Sequence, residues 1–200
     1  MKSNTLKPRL APIFACLMLG LAAWQFSGVA IIQAKAILAQ HLLEDAWADT
    51  RNGAQRVKPW PWADTWPVAR IHVPRLDEQA IVLSGAQGNS LAFAPGHVQE
   101  TAQPGMSGVS IVSAHRDTHF AFLRHIAMDD KIQLIRPDGT ASQYNVIDIQ
   151  VVDARSFAYI NNPKRRILML TTCYPFDAIR AGGTLRYVVT AEVDSEAVSI

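Results

Sequence analysis

Charge is scarce in this chain of 200 residues: Asp, Glu, Lys and Arg make up only 18%, against about 25% in typical soluble chains. Part of the chain is therefore expected outside water. No Lys/Arg run is long enough to suggest a nucleic-acid binder and the formal net charge is only +2, so no nucleic-acid partner is expected. Two cysteines exclude a disulfide-dense scaffold and a four-cysteine zinc site. No internal repeat is visible, and no His-Glu-x-x-His metal motif occurs. What the chain has in quantity is apolar side chain, 49%, which suits a sizeable core and excludes wholesale disorder. The length fits one generous domain or a domain with an appendage.

The appendage is at the N-terminus. Leu10 to Ala34 is 25 positions without a charged residue, about 37 Å as a helix against a hydrocarbon core of roughly 30 Å. Lys2, Lys7 and Arg9 precede it, and Glu44, Asp45 and Asp49 follow the single Lys35. The positive-inside bias then predicts a cytoplasmic N-terminus over 1–9, a transmembrane helix over 10–34, and an exported remainder. A cleaved signal peptide is the rival reading, but its apolar region normally runs about 7–15 residues. A lipidated Cys16 would have too short an apolar stretch after Arg9. With Cys16 in the bilayer, Cys173 is an unpaired thiol in an oxidising compartment.

Residues 35–59 are expected to form a juxtamembrane helix and linker. Ile37, Leu38, Leu42, Leu43 and Trp47 recur at helical spacing from Ala36 to Ala48. From Lys58 to Pro67 three prolines and three tryptophans occur in ten residues, predicting an extended segment whose rings pack on the domain or offer a ligand platform. Strands are predicted at Val68–Val73, Ala80–Leu83, Val109–Val112, Lys131–Arg136, Gln143–Val152, Arg166–Thr172 and Leu185–Val193. In the fifth, Ile147, Ile149 and Val151 are expected to share the buried face. Helical turns are expected near Ala92–Val98 and Phe120–Ile126. So many short strands with little helix predict a mainly β barrel or sandwich over 60–194, followed by a tail at 195–200.

Three residues stand at strand ends, where a reactive group is fixed yet reachable: His115, Cys173 and Arg186. The types suit thiol acyl transfer, with a thiolate nucleophile, an imidazole acid and base, and a cation for the oxyanion. Taken singly each has a plainer reading as buried filler, structural histidine or salt-bridge partner. A zinc site from His115, Asp117 and His119 is the competing constellation, with little room for tetrahedral geometry in five residues.

At these residues the sequence resembles the sortases, membrane-anchored cysteine transpeptidases. Their Thr-Leu-x-Thr-Cys motif is matched by Met169-Leu170-Thr171-Thr172-Cys173, departing at the first position. Ser113-Ala114-His115-Arg116-Asp117 matches their histidine segment and Leu185-Arg186-Tyr187 their arginine. The resemblance runs from about Trp60 to Val193. The stretches Trp62–Arg70, His115–Phe120 and Thr172–Asp177 look most like the Gram-negative group. The resemblance implies a closed, mostly antiparallel eight-stranded β-barrel that needs no cofactor or metal. It implies cleavage of a C-terminal sorting signal of the Leu-Pro-x-Thr-Gly kind on a protein substrate, and transfer of the acyl group to an amine. Cys173 would carry the thioacyl intermediate, His115 the protons and Arg186 the oxyanion or substrate backbone. Thr172 and Asp117 are supporting candidates, and Leu76–Gln79, Ala86–Ser90 and Ala154–Lys164 are expected to border the substrate groove. The expected location is the inner membrane, single-pass, with the catalytic domain periplasmic. Two alternatives stay open: a cysteine peptidase with water as acceptor, and a non-catalytic membrane-tethered binding module.

Overall fold

The computed structural model describes residues 7–180 and 182–193; the 195–200 tail and the first residues of the expected cytoplasmic segment lie outside them. The chain divides into two compact units, residues 1–41 and 42–200. One helix, α1 (Lys7–Arg51), occupies the start of the chain. The span expected over 10–34 is helical, but among the described residues no helix is long and apolar enough to cross a membrane. Several side chains of that run lie outside the description, and the described remainder does not supply an apolar stretch of the needed length.

The end of α1 belongs to the second unit for a physical reason. Leu43, Ala46, Trp47 and Thr50 recur at helical spacing and are all buried. Leu43 and Trp47 form an apolar cluster with Ile81, Leu83 and Ala94, joined by Trp60 and Phe93. The Arg70 guanidinium pairs with Glu44 and lies 5.6 Å over the Trp47 ring. The helix stops where Gly53 takes a φ of +97°, a left-handed conformation that costs glycine little. Of the proline-rich segment's rings, Trp60 meets Phe93 edge-on at 4.8 Å and Trp66 lies under Arg56. Trp62 is 82% exposed, so the three do not assemble into one platform.

Eight strands follow: β1 (Pro67–Val73), β2 (Glu78–Ser84), β3 (Gly96–His97), β4 (Gly108–Ser113), β5 (Lys131–Ile135), β6 (Ala141–Asp153), β7 (Arg166–Cys173) and β8 (Leu185–Val193). They close into a barrel in the order β1-β2-β3-β4-β7-β8-β6-β5. Only β2–β3 and β4–β7 pair in parallel; the other pairs are antiparallel. Alternate residues of each strand fill the interior, among them Ile71, Val82, Val112, Leu134, Tyr144, Leu168, Leu170 and Val189.

Two expectations are corrected here. The turn near Ala92–Val98 is not helical: a 3-10 turn covers Gly88–Ala92 and ends there, and Gly96–His97 is the short strand β3. Gly96 lies so close to the neighbouring chain that an added Cβ would sit 2.2 Å from the Gly85 carbonyl oxygen. In β6 the strict alternation fails. The register shifts between Val146 and Asp148, and this bulge leaves Ile147 41% exposed, with Val151 45% exposed near the strand's end. The turn expected at Phe120–Ile126 is present as a 3-10 turn at Ala121–His125.

Candidate active site

β7 sits between β4 and β8, and each of the three strands delivers one of the chemically interesting residues. In β7, Leu168 and Leu170 point into the core, while Ile167 and Met169 belong to a second cluster on the outer face. Period-two alternation therefore places Thr171 and Cys173 on the outer face too. The last residues paired between parallel β4 and β7 are Ser113 and Thr171, whose hydroxyl oxygens are 2.6 Å apart. His115 lies two positions past Ser113, beyond the end of β4, and Cys173 two positions past Thr171 at the end of β7, so both follow the last paired rung of the two strands. On the other side, Cys173 is paired directly with Arg186 of antiparallel β8. Val189 and Ala191 of β8 face the core, which puts Arg186 outward with Cys173. The order across three adjacent strand ends is imidazole, thiol, guanidinium. His115 is exposed, and Cys173 and Arg186 are half-buried.

Short hydrogen bonds hold this edge. The Ala114 N–H donates to the Thr171 carbonyl at 3.2 Å. The Thr172 hydroxyl donates to the Ala114 carbonyl at 2.8 Å, and Thr172 is 2% exposed. Thr172 thus anchors the residue preceding His115 from inside the barrel, and its hydroxyl does not reach the outer face. Asp117 is exposed in the turn after His115. The neighbouring Arg116 does not rest on Asp117: its Nη2 donates to the carbonyls of Ala178, at 2.7 Å, and Arg180, at 3.1 Å.

Arg186 donates from Nη1 to the carbonyls of Gly183 (2.7 Å) and Leu185 (2.9 Å). Near it stands Asp153, at the end of β6. Its carboxyl is held down to about 2, first by the hydrogen bond from Arg155, then by the Arg155 N–H, Thr184 and the charge of Arg186. Aromatic rings line the strand ends beyond the thiol. Tyr174 stacks on Tyr187 at 6.2 Å, Phe176 meets Tyr187 edge-on at 5.1 Å, and Arg124 lies 5.2 Å over Phe176. Sequence reasoning missed Arg116, Asp153 and this ring cluster. Only their adjacency to the three site residues could have flagged them.

His119 is half-buried; burial chiefly lowers its pKa, against a hydrogen bond with the Ala92 backbone that raises it, and the nearby His115 lowers it further. Among the described residues no three of His, Cys, Asp and Glu gather as a metal site, so His115, Asp117 and His119 do not form the competing zinc constellation. The 154–165 segment crosses the outer face: Phe157 and Tyr159 pack on Val109, Ile167 and Met169. The Asn161 side chain accepts the Val109 N–H at 3.2 Å. The segment forms a wall beside β7, whereas Ala86, Gln87 and Ser90 line a separate polar cavity of about 260 Å³ with Asp64, Ser84 and Glu100. A thiol between an imidazole and a guanidinium, on an outer face with a wall along one side, is equipped for nucleophilic attack on a carbonyl in an extended chain.

Comparison with known proteins bears on the family and the fold. Sortase D of Bacillus subtilis (strain 168) is 25% identical over 120 residues, 60% of this chain; the matched part is also 60% of that relative's length. Sortase C-1 from Actinomyces oris superposes with a TM-score of 0.54 at 28% identity, covering 64% of this chain and 72% of that one. The sortase D5 transpeptidase of Clostridium perfringens gives a TM-score of 0.62 at 19% identity over 78% of this chain and 98% of its own, a likeness of fold alone. The family model for the sortase domain matches residues 71–194, which take in His115, Cys173 and Arg186, and the chain belongs to the sortase family.

Proposed function

We propose that this chain is a cysteine transpeptidase that cleaves a Leu-Pro-x-Thr-Gly-type sorting signal and passes the acyl group to an amine. The observation that carries the reading is the direct pairing of Cys173 with Arg186, with His115 just past the end of the parallel neighbour β4. The Cys173 sulfur attacks the scissile carbonyl carbon. His115 takes the thiol proton, Arg186 stabilises the oxyanion, and His115 then gives that proton to the leaving amine as the C–N bond breaks, leaving a thioester on Cys173. An incoming amine, deprotonated by His115, then attacks the thioester and releases the thiol. Arg186 must first leave the carbonyls of Gly183 and Leu185, which the substrate backbone can replace as acceptors.

The membrane reading rests on the uncharged run at 10–34 and its flanking charges. It places a single-pass anchor in the inner membrane, with the N-terminus cytoplasmic and the barrel periplasmic, as in the Gram-negative group. Alkaline washing of membranes tests it: release of the full chain into the supernatant rejects the anchor.

The chemistry is tested by mass spectrometry of the full chain incubated with a Leu-Pro-x-Thr-Gly peptide and a small amine. The expected result is an acyl adduct on Cys173 and an amine-capped product, both absent in Cys173→Ala. Hydrolysed product alone, at any amine concentration, would establish a peptidase instead. A persistent adduct in Cys173→Ala removes Cys173 as the nucleophile. An unreactive Cys173 in folded protein supports a binding module.

A further inference from the structure

The two carbonyls gripped by Arg116, those of Ala178 and Arg180, flank Ile179, whose side chain is fully exposed. Arg116 follows His115 directly, and the loop it grips, residues 174–184, connects Cys173 to the strand of Arg186. One side chain thus ties the imidazole segment to the connection between thiol and guanidinium. Ordering an arginine on neutral carbonyls sacrifices rotamer freedom, which the two bonds from the one Nη2 must offset. A lone exposed isoleucine on a free loop calls for no explanation. Here the segment is pinned on both sides of the isoleucine, in the connection between the thiol's strand and the guanidinium's, so the apolar side chain is held out in a fixed place, uncovered among the described residues.

We propose that Arg116 is a positioning residue that fixes the 178–180 segment so that Ile179 makes an apolar contact with the peptide bound at Cys173. The inference rests on the acyl-transfer reading of the site and adds a specificity contact for a substrate bearing an apolar side chain near the scissile bond. A lysine at position 116 keeps the charge but has a shorter reach and a more flexible, more strongly hydrated head, so it holds the two carbonyls less firmly.

The test uses the full chain, as wild type, Arg116→Ala, Arg116→Lys and Ile179→Ser. Amide hydrogen exchange over residues 174–184, which needs no activity, is measured first. Faster exchange confined to that loop is expected in Arg116→Ala, with Arg116→Lys intermediate and Ile179→Ser unchanged. In peptide cleavage, Arg116→Ala loses about tenfold in kcat/KM and recovers part of it with millimolar guanidinium. Ile179→Ser raises KM about tenfold while keeping kcat, the signature of a lost uniform contact. Unchanged exchange in Arg116→Ala overturns the brace; a loosened loop with wild-type kinetics overturns its role in the reaction. If the wild type forms no Cys173 adduct, the acyl-transfer reading fails and the Ile179 contact with it, while the exchange data still decide whether Arg116 pins the loop.

Discussion

His97 is fully buried in β3, with Nε2 2.9 Å from the Ala102 carbonyl oxygen and Nδ1 without a partner among the described residues. A proton added at Nδ1 would place a cation and an unmatched donor in a dry site. Burial accordingly lowers the His97 pKa, outweighing the opposing pull of the Ala102 hydrogen bond and of Glu100. His119 is lowered in the same direction. In the unfolded chain both imidazoles titrate near about 6.5. Below that pH the unfolded state binds more protons than the folded state, so their contribution to stability is complete above about 6.5 and declines as pH falls. Urea midpoints should therefore fall as pH is lowered from 7.5 to 5, and NMR titration should find His97 below the ordinary imidazole value. A His97 titration at or above that value would contradict the burial argument. The Asp153 carboxyl is shifted in the same direction, held down to about 2, and stays ionised beside Arg186 throughout that range.

Among the elements, the parallel pair β4–β7 matters most, because a parallel neighbour brings two C-terminal ends to the same edge. That is how His115 and Cys173 come to the same edge of the sheet although 58 positions separate them in the chain. The pair is fastened inside by the Thr172 hydroxyl on the Ala114 carbonyl. Thr172→Val keeps the shape and removes the donor, leaving a buried carbonyl with a lost partner. We expect a stability loss of about 1–2 kcal/mol by urea denaturation and a fall in kcat with thiol alkylation unchanged. Wild-type turnover in this variant would confine Thr172 to stability. The two-sided apolar character of β7 has its explanation in the 154–165 segment, which covers the outer face with Phe157 and Tyr159. The bulge in β6 has no comparable cue in the residues around Ile147, since the strand partner decides where an extra residue is accommodated.

For the whole molecule, the boundary of the folded barrel unit is Leu42 rather than the first strand. Leu43 and Trp47 cover Ile81, Leu83 and Ala94 on the outside of β2. Removing a buried Trp or Leu typically costs about 3–5 or 2–5 kcal/mol, a large part of the stability of one domain. A chain beginning at Leu42 is expected to fold and keep its alkylation behaviour. One beginning at Asn52 should melt well below it or aggregate, because the β2 outer face is bared. Equal melting temperatures for the two would show that the helix end contributes little.

Much of this architecture is written locally. Alternating apolar residues and turn signals marked seven of the strands, and β3 escaped because two residues cannot display a period. His115, Cys173 and Arg186 were legible because each stands where a strand pattern stops and because their surrounding motifs resemble those of sortases. Sequence alone thus determined the mainly β class, the unpaired thiol and the candidate trio, since composition and short-range periodicity depend only on neighbouring residues. The tertiary structure decided that the sheet closes, that thiol and guanidinium share a rung, that Thr172 faces inward and that Arg116 reaches the loop beyond Cys173. Those facts depend on register and pairing between segments far apart in the chain, and only the folded barrel fixes them.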